Sequence, residues 1–148
     1  MGNAWPLAFK LGALAAALEI AILLPILRSK ISRLIAGANL FLIVGGLAFF
    51  LNNHSLISLI DYLREAGVII FVGIVCIVAI LFVPTGVFEK QFSKGNFEKK
   101  FSIYFLIGIF LAFLWSFSHR GDPMMGGVAP FIFLIITKQL FQRKLLAL

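Results

Sequence analysis

Charged residues are scarce in this chain. They make up 13% of its 148 residues, while 61% are hydrophobic. Soluble domains carry about 25% charged and about 45–50% apolar residues, so a soluble protein of this composition could not cover its surface with polar atoms. Lipid is the alternative solvent, and it requires stretches of about 17–25 apolar residues. We therefore expect one integral membrane domain over residues 1–148, which forms a single compact bundle.

Cysteine and the motifs of common catalytic sites are equally scarce. Cys76 is the single cysteine, so the chain has no CxxC pair, and a small packing residue is the simplest role for it. Glycine-rich phosphate loops and HExxH are absent. No internal repeat supports an inverted-repeat transporter. The sequence therefore predicts no cofactor, no metal site and no catalytic residue.

Five apolar segments are present instead, at about residues 5–27, 34–51, 67–87, 101–118 and 124–140. They predict an all-α membrane bundle with five transmembrane helices. The last segment is the shortest in strictly apolar residues, and Lys138 must snorkel to the headgroups if it is to span. Four helices plus a re-entrant segment are the alternative.

Basic residues alternate from loop to loop. Ten of the thirteen Lys and Arg residues follow segments one and three or mark the C-terminal end: Arg28, Lys30, Arg33, Lys90, Lys94, Lys99, Lys100, Lys138, Arg143 and Lys144. The positive-inside rule then predicts five crossings, with the N-terminus outside and the C-terminus in the cytoplasm. A bacterial cytoplasmic membrane is favoured, with an organelle membrane as the alternative. Topology also explains the net charge of +7 more simply than nucleic-acid binding does.

The connection between segments two and three reads NNHSLISLIDYLREAG. Leu56, Leu59, Ile60 and Leu63 recur at helical spacing, opposite a polar face. The pattern predicts a short amphipathic helix on the outer surface of the bilayer, with Ser55 as its cap. This helix is either a connector or a lid over a cavity.

A single glutamate interrupts the first segment. Small residues share the helical face of Glu19, so this face is expected to pack closely against another helix: Ala8, Gly12, Ala15 and Ala16. In a hairpin about residue 31, Gly46 lies level with Ala16. Asn39 then lies about one turn deeper than Glu19 and is the leading candidate partner if the helices are staggered, before a water or a hydroxyl of segment four. Lys10 points to the opposite side of the helix and can snorkel.

An intramembrane carboxyl group is a functional candidate by default. Burial disfavours its charged form, and a neutral acid can simply donate a hydrogen bond across the bundle. The alternatives for Glu19 are ion or proton passage, binding of a cationic ligand, and contact with a partner subunit. No second acid accompanies it within the apolar segments, which favours the structural role.

Four residues form a second candidate group, at the predicted outer boundary: His54, Asp61, His119 and Asp122. They lack the local spacing of metal ligands, and Asp122 is placed to cap the last segment. An enzyme would require these residues to converge.

Two classes of function are therefore carried forward. The first is a non-catalytic accessory or structural subunit of a larger membrane assembly, whose partners are the lipid bilayer and other membrane subunits or a second copy. The second is a small homo-oligomeric transporter or channel in which Glu19, Asn39 and Lys10 face a shared pathway. An intramembrane enzyme is a distant third.

Overall fold

The computed structural model describes residues 4–27, 32–88 and 97–147, and every regular element in these ranges is helical. The elements are α1 (Ala4–Leu27), α2 (Arg33–Phe50), α3 (His54–Leu63), α4 (Glu65–Phe82), α5 (Phe97–Ser118), and a π-helical turn (Pro123–Val128) that continues as α6 (Ala129–Leu146). Arg28, Lys30, Lys90 and Lys94, on which the predicted orientation partly depends, lie outside the described residues.

Four described helical spans are long and apolar enough to cross a membrane: Arg33–Phe50, Glu65–Phe82, Phe97–Ser118 and Pro123–Leu146. At about 1.5 Å per residue the shortest would cover about 27 Å of a hydrocarbon core about 30 Å thick. The remaining long helix, α1, has 24 residues. The architecture is that of an all-helical integral membrane protein.

Three helix ends differ from the bounds of the predicted apolar segments. α4 ends at Phe82 rather than near residue 87, because Pro84 follows in a turn that Gly86 closes with φ 59°. The last helix is longer than expected and continues to Leu146. α5 begins at Phe97, four residues before the predicted start.

The long helices pack in chain order, and the residue pairs in contact show that each is antiparallel to its predecessor. The main core lies between α2, α4, α5 and α6 and is apolar: Leu34, Ile69, Val72, Cys76, Val87, Phe105, Ile109, Ala112 and Leu134. A second cluster joins α1, α2 and α3 through Phe9, Phe41, Ala48 and Ile60. Because the five long helices alternate in direction, the start of α1 and the end of α6 lie at opposite ends of the bundle.

The predicted amphipathic helix is present as α3. Ile60 is 7% exposed and packs inward, whereas Leu59 is 51% exposed. Its cap is Asn53 rather than Ser55: the helix begins at His54, so the Asn53 Oδ1 atom is in place to accept from the Leu56 N–H at 3.1 Å. α3 therefore covers one end of the bundle, between α2 and α4.

The turn before the last helix is tied to its neighbours by three hydrogen bonds. The Asp122 carboxylate accepts from the N–H groups of Met124, at 2.9 Å, and Met125, at 3.1 Å, which is the cap that the sequence predicts. The Ser116 hydroxyl donates to the Gly126 carbonyl. The π-helical turn and α6 together form a continuous helix that is tied to the end of α5.

Candidate functional site

Glu19 and Asn39 meet between α1 and α2. The Asn39 Nδ2 atom donates to the Glu19 Oε2 atom at 3.0 Å. Asn39 is 7% exposed and Glu19 is half-buried. The structure thus joins two helices through a carboxyl group and an amide at a depth where few other polar side chains are available.

The stagger of the two helices makes this contact possible. Gly46 lies against Ala13 rather than level with Ala16, since a Cβ added at Gly46 would come 2.2 Å from the Ala13 Cβ. The Phe9 ring likewise occupies the space that a side chain at position 45 would need. This register, about one turn from that of the expected hairpin, is the one that brings Asn39 level with Glu19.

The face of α1 that packs on α2 includes only some of the small residues that the sequence places on it. Ala16 is buried, and a Cβ added at Gly12 would lie 3.2 Å from Leu42 Cδ2. Ala8 and Ala15 are exposed and do not contribute to this packing face. Adjacent helical residues differ by about 100° in direction, so Ala15 turns away from α2 when Ala16 faces it.

Lys10 is not part of the Glu19 site. Its Nζ atom lies 5.1 Å from the centroid of the Phe50 ring, near the end of α2. Lys10 and Glu19 are nine positions apart along α1, which corresponds to a rise of about 13 Å. The lysine therefore makes a cation–π contact toward the end of the bundle.

The chemistry of the pair follows from its two groups. An amide does not gain or lose a proton at ordinary pH, so Asn39 can hold the carboxyl group in place but cannot relay a proton. A hydrogen bond between membrane helices is worth about 0.6 kcal/mol on average. The arrangement is suited to fixing the register of α1 on α2.

The second group of candidates is spread along one end of the bundle. The His119 Nδ1 atom lies 3.0 Å from the Trp115 carbonyl, and Asp122 caps the last helix. His54 and Asp61 are exposed on α3. Within the described ranges, no group of three or more His, Cys, Asp and Glu side chains could hold a metal ion.

Lys138 is buried, and its side chain extends to the beginning of α2. It is 6% exposed, and its Nζ atom donates to the Ser32 hydroxyl at 3.1 Å. The helical period could have indicated that Lys138 faces inward. Leu134, four residues earlier, and Leu145, seven residues later, lie on the same helical face and are both buried. The contact joins the beginning of α2 to the last helix.

Ser102 is a further buried polar residue that the sequence analysis missed. Its hydroxyl accepts from the Val87 N–H at 2.9 Å and donates to the Glu98 carbonyl at 2.7 Å. It thereby satisfies the backbone of the turn that connects α4 to the following segment. No local sequence signal marks it, because its partner lies 15 residues earlier.

These features define an all-helical membrane protein with an apolar core and one polar pair between α1 and α2. Comparison of the chain with protein-family models, with curated proteins and with solved structures finds no match.

Proposed function

We propose that this protein is a non-catalytic accessory or structural subunit of a larger membrane assembly. In this proposal the chain crosses the bilayer five times, with its N-terminus outside and its C-terminus in the cytoplasm of a bacterium. The alternation of basic loops supports that orientation, and the alternating directions of the five long helices fit an odd number of crossings. A re-entrant last segment is less favoured, because Pro123–Leu146 is a continuous helix of 24 residues that is long and apolar enough to cross a membrane.

The observation that carries the proposal is the apolar core. The side chains buried between α2, α4, α5 and α6 form an aliphatic and aromatic cluster. Transport pathways in membrane proteins are lined by ionisable or polar groups that face the interior or a water-filled cavity. In the described part of the chain the polar groups that join two helices lie between α1 and α2 or toward the ends of the bundle, and Thr137, between α5 and α6, bonds to the Phe133 carbonyl of its own helix.

The surface of α1 supports a role in assembly. Its exposed large apolar side chains follow at intervals of three and four residues: Leu7, Leu11, Leu14, Leu18 and Ile22. α1 packs on α2 along one side, which leaves this stripe available to lipid, to another membrane subunit or to a second copy. Nucleic acid is not among the proposed partners.

One observation favours the alternative, a homo-oligomeric transporter or channel. Glu19 is half-buried at the edge of the α1–α2 pair, so a neighbouring subunit could approach the same carboxyl group. Membrane carboxyl groups in such positions line ion and proton pathways in many transporters.

Two measurements distinguish the proposals. Purification from native membranes in mild detergent is expected to recover stoichiometric partner subunits. Proteoliposomes of the purified protein are expected to show no proton flux, measured with an internal pH-sensitive dye. Flux that Glu19→Gln abolishes, and that the matched control Asp122→Asn leaves intact, would overturn the accessory role in favour of transport. Absence of both flux and partners would contradict both proposals.

The five-crossing topology has its own test. Reporter tags at the two ends of the chain are expected to be accessible from opposite sides of the membrane. Accessibility of both tags from one side would refute five crossings.

A further inference from the structure

A polar depression lies where α3 meets α4. It has a volume of about 590 Å³ and is lined by Ser58, Asp61, Tyr62, Arg64 and Arg120. We call it the arginine depression. Small-molecule sites occupy about 300–1,000 Å³ and are lined mostly by apolar side chains with a few polar groups. The volume of the depression falls in this range, while its mostly polar lining suits a charged ligand or headgroup.

Arg120 is held in place by two aromatic rings. Its guanidinium carbon lies 4.8 Å from the centroid of the Tyr62 ring and 4.8 Å from that of Phe117. Contact with ring faces leaves the N–H donors at the edge of a guanidinium available for hydrogen bonds. Arg120 is exposed, so these donors can meet a ligand in the depression.

Arg64 lies against Gly121, in the turn that follows Arg120. Its backbone has φ 48°, a conformation that favours glycine. A Cβ added at Gly121 would come 2.7 Å from the Arg64 Nη1 atom, and the Gly121 N–H donates to Glu65 Oε2 at 2.9 Å.

The charges of the depression define the chemistry of its ligand. Two guanidinium groups and one carboxylate, that of Asp61, line it. Guanidinium groups bind phosphate through paired N–H donors. The Asp61 carboxylate and the Ser58 hydroxyl suit an ammonium group. A ligand that carries a phosphate ester and an amine complements both.

Arg64 also lines an apolar groove. It has a volume of about 220 Å³ between α1, α2 and α4, and the side chains beside Arg64 and Glu65 are apolar: Ala8, Phe9, Phe41, Leu42 and Val68. A polar depression and an apolar groove that share Arg64 as a lining residue fit a molecule with a charged head and a hydrocarbon chain.

We propose that the arginine depression binds a phosphoethanolamine group, and that the apolar groove takes an acyl chain of the phospholipid that carries it. Arg64 and Arg120 hold the phosphate, and Asp61 holds the amine. The site is separate from the Glu19–Asn39 pair, so the proposal holds whichever function the protein has.

Native mass spectrometry of the detergent-purified full chain, titrated with phosphatidylethanolamine, tests the proposal. Arg64→Gln and Arg120→Gln are each expected to weaken lipid binding about tenfold, since each removes charge-assisted hydrogen bonds. Arg143→Gln, an exposed arginine at the other end of the bundle, is the matched control and is expected to bind as the unaltered chain does. Equal binding by all four proteins would overturn the proposal.

Three further measurements keep the result interpretable. Unfolding temperatures in lipid-free detergent identify a variant that fails to fold. If Arg120→Gln fails to fold, Arg120→Lys replaces it. This variant keeps the charge and is expected to retain part of the affinity. Asp61→Asn is expected to reduce the preference for phosphatidylethanolamine over phosphatidylglycerol, and an unchanged preference would refute the role of the amine. Soluble phosphoethanolamine distinguishes the sources: arginine-dependent displacement of the lipid at millimolar concentration identifies a soluble ligand, and no displacement identifies the lipid.

Discussion

Alanine in place of Gly37 tests how closely α2 and α4 approach each other. A Cβ added at Gly37 would lie 2.4 Å from the Val72 Cα atom and 2.7 Å from the Val72 backbone nitrogen. Comfortable contacts between carbon atoms are about 3.5–4.0 Å. Because both obstacles are backbone atoms, no rotamer change relieves them, and the two helices must separate locally by about 1 Å.

The expected cost follows from this separation. Overpacking a close contact costs about 1–3 kcal/mol. Alanine also gains about 1 kcal/mol over glycine in helix propensity, which hides part of that cost. Gly108→Ala is the matched control, because a Cβ there would lie 3.8 Å from Thr137 Cγ2, an ordinary contact. Since the propensity gain is common to both variants, the difference between them isolates the clash, at about 1–3 kcal/mol in favour of Gly108→Ala.

The assay is unfolding in mixed micelles of increasing SDS fraction, followed by far-ultraviolet circular dichroism. Gly37→Ala is expected to unfold at a clearly lower SDS fraction than Gly108→Ala. If the two variants unfold together, the close approach of α2 to α4 at Val72 is refuted. The neighbouring register that places Phe41 against Gly67 would then also need revision.

Three further changes are predicted from the hydrogen bonds of the bundle. A double-mutant cycle with Glu19→Leu and Asn39→Leu is expected to give a coupling of about 0.6 kcal/mol in SDS unfolding, and additivity of the two changes would show that the pair does not interact in the membrane. Ser102→Ala removes the buried acceptor of the Val87 N–H and is expected to cost about 1–3 kcal/mol; unchanged stability in the same assay would contradict that role. Asp122→Ala is expected to cost about 0.5–2 kcal/mol through loss of the helix cap, whereas Asp122→Asn keeps the cap, and equal unfolding of these two variants would refute it.

The helices could be predicted closely where the sequence has strong local signals. The first two segments were expected at 5–27 and 34–51, and the helices run from Ala4 to Leu27 and from Arg33 to Phe50. The amphipathic α3 followed from four apolar residues at helical spacing. The predicted boundaries differ from the helix ends where a turn lies within an apolar stretch, as after Phe82. Hydrophobicity alone does not distinguish the last turn of a helix from a buried loop.

The sequence predicts only part of the candidate site. Asn39 was chosen as the partner of Glu19 although the expected register placed it one turn away. Lys138 is expected to extend toward the headgroups, and its contact with Ser32 follows only from the structure. Arg64 and Arg120 line one depression, and residues 56 positions apart show no pattern in sequence that would bring them together.

The sequence by itself determined that the chain suits a lipid solvent, that its elements are helices, and roughly where they begin and end. These properties depend on composition and on periodicities a few residues long. Only the tertiary structure decided the register of α1 on α2, the burial of Lys138 and the meeting of the two arginines. Such arrangements depend on which side chains fit which gaps, as the Phe9 ring fits against Gly45, and that fit is a property of two packed surfaces rather than of either helix alone.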